Sequence, residues 1–165
     1  MNCEAPRSGD CVALEIPGRT LSNIDLLYYA ELLEIPYFKG VYMRDQLPRP
    51  TSNEFPECGV MNFNTSKQAG VHWTCWYRDN AGRRFYFDSF GLNVPTELLK
   101  YLKSEEEYIS KREVIRRNDV VVQHINTTEC GRLCLFVLDC LSQRVPYDEI
   151  LQTLKLRYDE QTKTE

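Results

Sequence analysis

A cysteine becomes a nucleophile at neutral pH only with help from a base, and this chain pairs seven cysteines with just two histidines, His72 and His124. Among the cysteines, Cys130 has the setting that suits attack. It lies in VVVQHINTTECGRLCLFVLDCL, residues 120–141. There an apolar, strand-like run from Val120 to Val122 ends in Gln123, a polar loop of Asn126, Thr127 and Thr128 follows, and Cys130-Gly131 opens a long apolar segment. Thr128 has the chemistry of a helix N-cap, which would put Cys130 in the first helical turn. At that place unpaired backbone N–H groups and the positive end of the helix dipole favour a thiolate. Gly131 carries no side chain, so backbone or substrate can come close to the sulfur. The plain alternative is a core cysteine, since free cysteines are among the most buried residues.

His124 lies on the loop, six residues before Cys130. His72 lies in an aromatic run, Val71 to Asp79 (VHWTCWYRD), which faces a second one, Arg83 to Phe90 (RRFYFDSF), across Asn80-Ala81-Gly82. A three-residue hairpin loop closed by a glycine bulge places His72 opposite Phe90 and Thr74 opposite Asp88. His72 and Asp88 then share one face as diagonal neighbours. A two-residue loop would send them to opposite faces. A carboxylate so placed can orient the ring, and imidazolium and thiolate stabilise each other, which favours His72 as the base over His124. Taken singly, His72 also reads as a strand histidine packed among Trp73, Trp76 and Tyr86, and Asp88 as a strand-end acid capping a turn with Ser89.

Gln123 could complete the set, because a side-chain amide beside the nucleophile helix can meet an oxyanion together with the Cys130 backbone N–H. Otherwise it is an ordinary polar strand end. Glu129 works in the other direction, since a carboxylate next to a thiol opposes the thiolate unless it points away.

These groups need a scaffold. Leu133, Leu135, Phe136, Val137, Leu138 and Leu141 cover nearly the whole circumference of a helix, which is the mark of a buried, rigid mount. Upstream, Ser22 and Asp25 start a helix whose apolar face is Ile24, Leu27, Tyr28 and Leu32, and Pro36 closes it. Tyr37 to Met43 and Gly59 to Asn64 read as strands, Leu47 to Asn53 as a loop, and Thr65 to Gly70 as an exposed connection. Pro95 opens a helix with Leu98, Leu99, Tyr101 and Leu102. Lys103 to Asn118 is charged with nearly balanced signs and reads as a solvated helix or loop. Tyr147, Ile150, Leu151 and Leu154 make a last amphipathic helix, residues from Asp159 a polar tail, and residues 1–20 an irregular arm. No repeat or internal boundary divides the 165 residues, so a single domain is expected.

Composition narrows the classes further. With 42% apolar and 27% charged residues the chain is globular rather than disordered. A formal charge of -4 argues against a general electrostatic grip on nucleic acid or an anionic membrane. MNCEAPRSGDC has no apolar core of a secretory signal, and the longest apolar run is broken by Asp139, so an intracellular protein without membrane attachment is expected. An odd number of irregularly spaced cysteines reads as thiols in a reducing compartment. Without a CxxC pair no structural zinc is expected, and no cofactor is implied.

Gly-Val-His-Trp at 70–73, the acid in Asp88-Ser89-Phe90-Gly91, and Gln123 followed by Cys130-Gly131 with Cys134 one turn on resemble the adenovirus-type cysteine proteases (adenains) and their relatives, the ubiquitin-like-protein proteases. Pro36-Tyr37-Phe38-x-Gly40 is similar to adenain as well, so the resemblance covers about residues 22–145. It implies an α+β, adenain-like (permuted papain-like) fold in which an antiparallel sheet packs on a central nucleophile helix with flanking helices. It also implies Cys130 as nucleophile, His72 as base, Asp88 as orienting acid and Gln123 as oxyanion donor, with Trp73 and Gly131 beside the substrate. Asp88 and the acid before the cysteine, Glu129, follow the ubiquitin-like-protein proteases, whereas adenain usually has Glu at the first of these. Adenain is activated by DNA and by a disulfide-linked viral peptide; an acidic chain with no cysteine between Cys75 and Cys130 speaks against both.

The expected function is therefore cleavage of viral precursor proteins at glycine-containing sites, in an infected cell or a virion, with a protein or peptide substrate and room for an activating peptide or protein partner. Three alternatives stand beside it. They are removal of ubiquitin or a ubiquitin-like modifier, acyl transfer from acetyl-coenzyme A, and a binding module that has kept the fold and lost catalysis.

Overall fold

Runs of β-branched and aromatic residues form five strands in a sheet of order β1-β2-β3-β4-β5: β1 (Phe38–Met43), β2 (Glu57–Asn62), β3 (Trp73–Arg78), β4 (Arg84–Phe87) and β5 (Ile115–Arg117). The structure, a computed structural model, describes residues 15–49, 56–68 and 72–163. The expectations for the first fourteen residues, for Thr51 to Asn53 and for Gly70-Val71 lie outside the described residues. Helices α1 (Asn23–Leu32), α2 (Thr96–Leu102), α3 (Glu105–Ile109), α4 (Cys130–Ser142) and α5 (Tyr147–Lys163) surround the sheet. The expected α+β class holds, but the sheet is mixed rather than wholly antiparallel, because β1 pairs with β2 and β4 with β5 in parallel.

The hairpin behaves as its loop chemistry requires. Cys75 pairs with Phe87, Trp76 with Tyr86 and Arg78 with Arg84, across a three-residue loop in which Gly82 takes φ 78°. Its two faces therefore feed two cores. Cys75, Tyr77 and Phe87 face α4, while Trp76 and Tyr86 join Met61 from β2 and Leu98, Tyr101 and Leu102 from α2. Gly59, opposite Trp76, is where the indole needs room, since a Cβ there would sit 2.4 Å from the ring.

α4 is the mount. All its residues except Arg132 and Ser142 are buried, and it lies between the sheet, α1 and α5. Burying a helix on every side fixes its first turn relative to the strands, as its apolar circumference predicts.

Several local expectations fail for identifiable reasons. Val120 to Val122 is not a strand: only Val122 is buried, and its N–H donates to the Ser89 carbonyl at 2.8 Å. The last strand lies instead in the charged stretch, where Ile115 packs on the second core while Arg116 and Arg117 stay exposed, the pattern of a protected sheet edge. The same stretch holds α3, started by a Ser104–Glu107 capping box. The polar tail from Asp159 is helical as far as Lys163. α1 begins at Ser22 with the expected capping box to Asp25, yet it buries Leu26 and Ala30 and turns Ile24, Leu27, Tyr28 and Leu32 outward.

Candidate active site

The residues of the site arrive from three places. His72 enters just before β3, Asp88 leaves at the end of β4, and Cys130 is the first residue of α4. Because the hairpin register puts His72 and Asp88 on one face, the His72 Nε2 lies 2.8 Å from Asp88 Oδ1. A carboxylate only accepts, so Nε2 carries the proton and Nδ1 is the nitrogen left for the sulfur. Cys130 acts on the same imidazole and, like Asp88, raises it. Phe90 stacks on the ring at a centroid distance of 4.8 Å, and Phe63 flanks it at 6.2 Å. His72 and Cys130 keep 8% and 6% of their surface, whereas Asp88 keeps none, so the imidazole and the sulfur reach solvent and the carboxylate does not.

The electrostatics favour a charged imidazole. Burial is the largest influence on His72 and pushes its imidazolium down. The hydrogen bonds and charges of Asp88 and Cys130 overcome it and raise the ring to about 9. Trp73 then separates two cysteines one turn apart on α4. Its backbone N–H donates to Cys130 Sγ at 3.5 Å, while its carbonyl accepts from Cys134 Sγ at 3.4 Å. A donor suits a sulfur that bears negative charge, whereas an acceptor needs the proton to stay. Burial raises the Cys134 thiol well above its ordinary value, so Cys134 is held as an inert neighbour.

The α4 N-terminus differs from expectation. Glu129, not Thr128, is the N-cap residue, and no side chain caps the helix. Thr128 instead donates its hydroxyl to the Gly18 carbonyl at 3.3 Å. An uncapped first turn leaves backbone N–H groups for a ligand. The Glu129 carboxylate is turned away into two guanidinium groups, Arg157 at 2.6 and 3.0 Å and Arg132 at 2.5 Å. Burial alone would raise it, but the arginines hold it below its ordinary value. Its charge is thus neutralised by partners on α4 and α5 instead of opposing Cys130.

Gln123 is buried and fully oriented. Its Oε1 accepts the Ser89 hydroxyl at 2.5 Å and its Nε2 donates to the Thr127 carbonyl at 3.0 Å, leaving one amide hydrogen uncommitted. Ser89 follows Asp88 directly, so one turn orients both the acid and the amide. Replacing Ser89 by alanine is expected to lower kcat about tenfold with little change in KM, because the amide is no longer held. That loss should vanish in a Gln123→Ala background; additive losses would mean that Ser89 does not act through Gln123.

Two residues beside the site also make packing contacts within the chain. Trp73 is buried, with its indole N–H donated to the Leu21 carbonyl at 2.8 Å, so its side chain ties the strand to the start of α1. At Gly131 the close approach is made by the chain itself, because a Cβ there would meet Leu21 and Leu26 at 3.2–3.3 Å. His124 belongs elsewhere: its ring stacks on Tyr158 of α5 at 4.2 Å, and its Nε2 faces the Tyr158 carbonyl.

Asn118 was not foreseen. It is buried and clamps Asp88 by its backbone, its Oδ1 accepting the Asp88 N–H at 3.1 Å and its Nδ2 donating to the Asp88 carbonyl at 2.6 Å. Nothing in the sequence near Asn118 signals this, since its partner is distant along the chain.

A sequence model of the adenovirus endoproteases matches residues 38–155, most of the chain. The chain belongs to the adenovirus endoprotease family. That stretch contains His72, Asp88, Gln123 and Cys130. Two crystal structures of the ASFV pS273R protease are similar in fold. One has a TM-score of 0.52 at 17% identity, covering 83% of this chain and 63% of its own. The other has a TM-score of 0.51 at 18% identity, covering 81% and 61%. This member of the adenovirus endoprotease family thus spans about three fifths of the ASFV protease. No curated protein sequence matches it.

Proposed function

We propose that this adenovirus endoprotease family member is a cysteine endopeptidase that cleaves viral precursor proteins at glycine-containing sites. The observation that carries the reading is the single imidazole held between a buried carboxylate and a sulfur at a helix start, His72 between Asp88 and Cys130. In the first step the Cys130 thiolate attacks the scissile carbonyl carbon, and the electron pair of the C=O moves onto oxygen. The free amide hydrogen of Gln123 and the Cys130 backbone N–H receive that oxyanion. Collapse breaks the C–N bond as the His72 imidazolium gives its proton to the leaving amine. Water, deprotonated by neutral His72, then attacks the thioester, releasing the second product and restoring the thiolate–imidazolium pair. Glycine beside the scissile bond suits a nucleophile that keeps so little exposed surface.

The test is a panel of Gly-Gly-containing peptides, with products mapped by mass spectrometry, run beside ubiquitin and ubiquitin-like proteins bearing a C-terminal electrophile. Cleavage after glycine without labelling by any modifier probe supports the endopeptidase. Labelling of Cys130 by one modifier would reassign the substrate to a conjugate, and neither result with fully folded protein would leave the fold without this chemistry.

A pH dependence follows from His72. Its folded value, about 9, lies above the ordinary 6.5, so the imidazolium survives through neutral pH and is lost as pH rises through about 9. Cleavage should fall on an alkaline limb near that pH, and the contribution of the ion pair to stability, complete below about 6.5, should fade over the same interval. Removing the Asp88 charge takes away an influence that raises His72, so Asp88→Asn should move the limb to lower pH. A limb that stays in place in that variant would detach Asp88 from the proton donor.

A further inference from the structure

The face of α1 that its apolar spacing singles out is the one that the described residues leave uncovered. Ile24, Leu27, Tyr28 and Leu32 are 73%, 45%, 58% and 62% exposed, while Leu26 and Ala30, which hold the helix to the protein, are 0% and 2% exposed. One exposed leucine is ordinary. Four large apolar side chains at i, i+3, i+4 and i+8 form a continuous ridge about 12 Å long, the arrangement that marks an interaction surface.

The charges around the ridge select its occupant. Glu31 lies on the same face, between the turns of Tyr28 and Leu32, and Glu34 stands just past the helix end; both are exposed. Asp25 is already paired with Arg19. No lysine or arginine occurs from Thr20 to Phe38. Packing a second copy against this patch about a two-fold axis would gather the four carboxylates of two Glu31 and two Glu34 residues with no base supplied by either ridge, which opposes a homodimer. The same acids repel an anionic lipid surface.

We propose that the ridge of α1 docks a basic amphipathic helix of a partner protein. The partner's apolar residues at helical spacing pack along Ile24, Leu27, Tyr28 and Leu32, and its flanking lysines or arginines pair with Glu31 and Glu34. Burying Glu31 without a cationic partner would strand a charge, so the basic character is required and not an embellishment. α1 also adjoins the nucleophile mount: Leu21, just before it, accepts the Trp73 indole N–H, and Leu21 and Leu26 pack on Gly131. A partner on the ridge is thus one helix away from Cys130. The inference is independent of the peptidase reading, because the ridge and its charges stand whether or not Cys130 cleaves anything.

The test uses the full chain and a labelled model peptide of about 18 residues, with leucines at i, i+3, i+4 and i+7 and lysines elsewhere. Two controls accompany it, one scrambled in order and one with glutamate in place of lysine. Fluorescence anisotropy should show the patterned lysine peptide binding at least about tenfold more tightly than either control. Leu27→Glu should abolish that preference, and the double variant Glu31→Lys with Glu34→Lys should transfer it to the glutamate peptide. All these positions are exposed, and unchanged thermal unfolding would show that the variants fold. Equal binding of patterned and scrambled peptides, or a charge swap that transfers nothing, would overturn the proposal. So would a wild-type dimer in sedimentation equilibrium that Leu27→Glu dissolves, or flotation of the wild-type chain on phosphatidylserine vesicles lost in that variant, which would assign the ridge to a second copy or to a membrane.

Discussion

Cys130→Ala should abolish peptide cleavage, a loss on the order of a million-fold in kcat, because removing a nucleophile leaves only binding and oxyanion stabilisation. The substitution is mild for the fold. It removes one sulfur at the start of α4, next to Gly131, and leaves the buried remainder of the helix untouched. Thermal unfolding should therefore be nearly unchanged while product formation disappears. The other described cysteines, Cys58, Cys75, Cys134 and Cys140, are buried free thiols, and none has an imidazole beside it in the way Cys130 has. Residual cleavage within about tenfold of wild type would remove the thiol mechanism altogether. Cys130 should also be the thiol that iodoacetamide modifies fastest at neutral pH.

Asp88→Asn should cost about ten-thousand-fold in kcat. The reason lies in the proton rather than in packing. Asp88 Oδ1 accepts from both His72 Nε2 and the Phe90 N–H, each at 2.8 Å, and Asn118 holds the Asp88 backbone from two sides, so an isosteric amide keeps its place. An asparagine whose oxygen takes the Oδ1 place still accepts from both donors but brings no negative charge to hold the imidazolium. Turned the other way, its NH2 meets the Phe90 N–H and the ring, which forces the ring proton onto Nδ1, the nitrogen that faces Cys130. Either orientation weakens the base. The measurement is kcat for a Gly-Gly peptide with unfolding temperature as control; a loss below about tenfold would show that the carboxylate is not needed to hold the ring and its proton.

The surroundings of Cys130 show how an unfavourable feature of the sequence is cancelled in space. Glu129 precedes Cys130, yet Arg157 comes from the last helix to take up its carboxylate, with Arg132 from the next turn. The cost of burying that acid is offset by bidentate pairing with the Arg157 guanidinium, and its side chain is withdrawn from the helix N-terminus. Without the arginine on α5, the same acid would cap the helix or face the sulfur. The C-terminal helix thus contributes to the site although it supplies no reacting group.

How far each part of the molecule could be read from the chain follows from the range of the interaction that determines it. The hairpin and its register were legible because a three-residue loop ending in glycine sets pairing locally, and that register places His72 with Asp88. The buried helix was legible because its apolar residues leave no polar face. The partner of Gln123, the clamp of Asn118 on Asp88 and the arginines around Glu129 were not, since each joins residues brought together only by folding. The α1 spacing marked a helix and an apolar face but not the side that packs. Its spacing is helical on either side, and apolar periodicity states that a face exists without stating what covers it. Sequence alone therefore marked the candidate groups, the hairpin that pairs acid with imidazole, and the helix start that presents the sulfur. The tertiary structure decided which histidine meets Cys130, which amide proton stays free, and which apolar ridge remains bare, because these depend on contacts between segments whose separation along the chain carries no local signal.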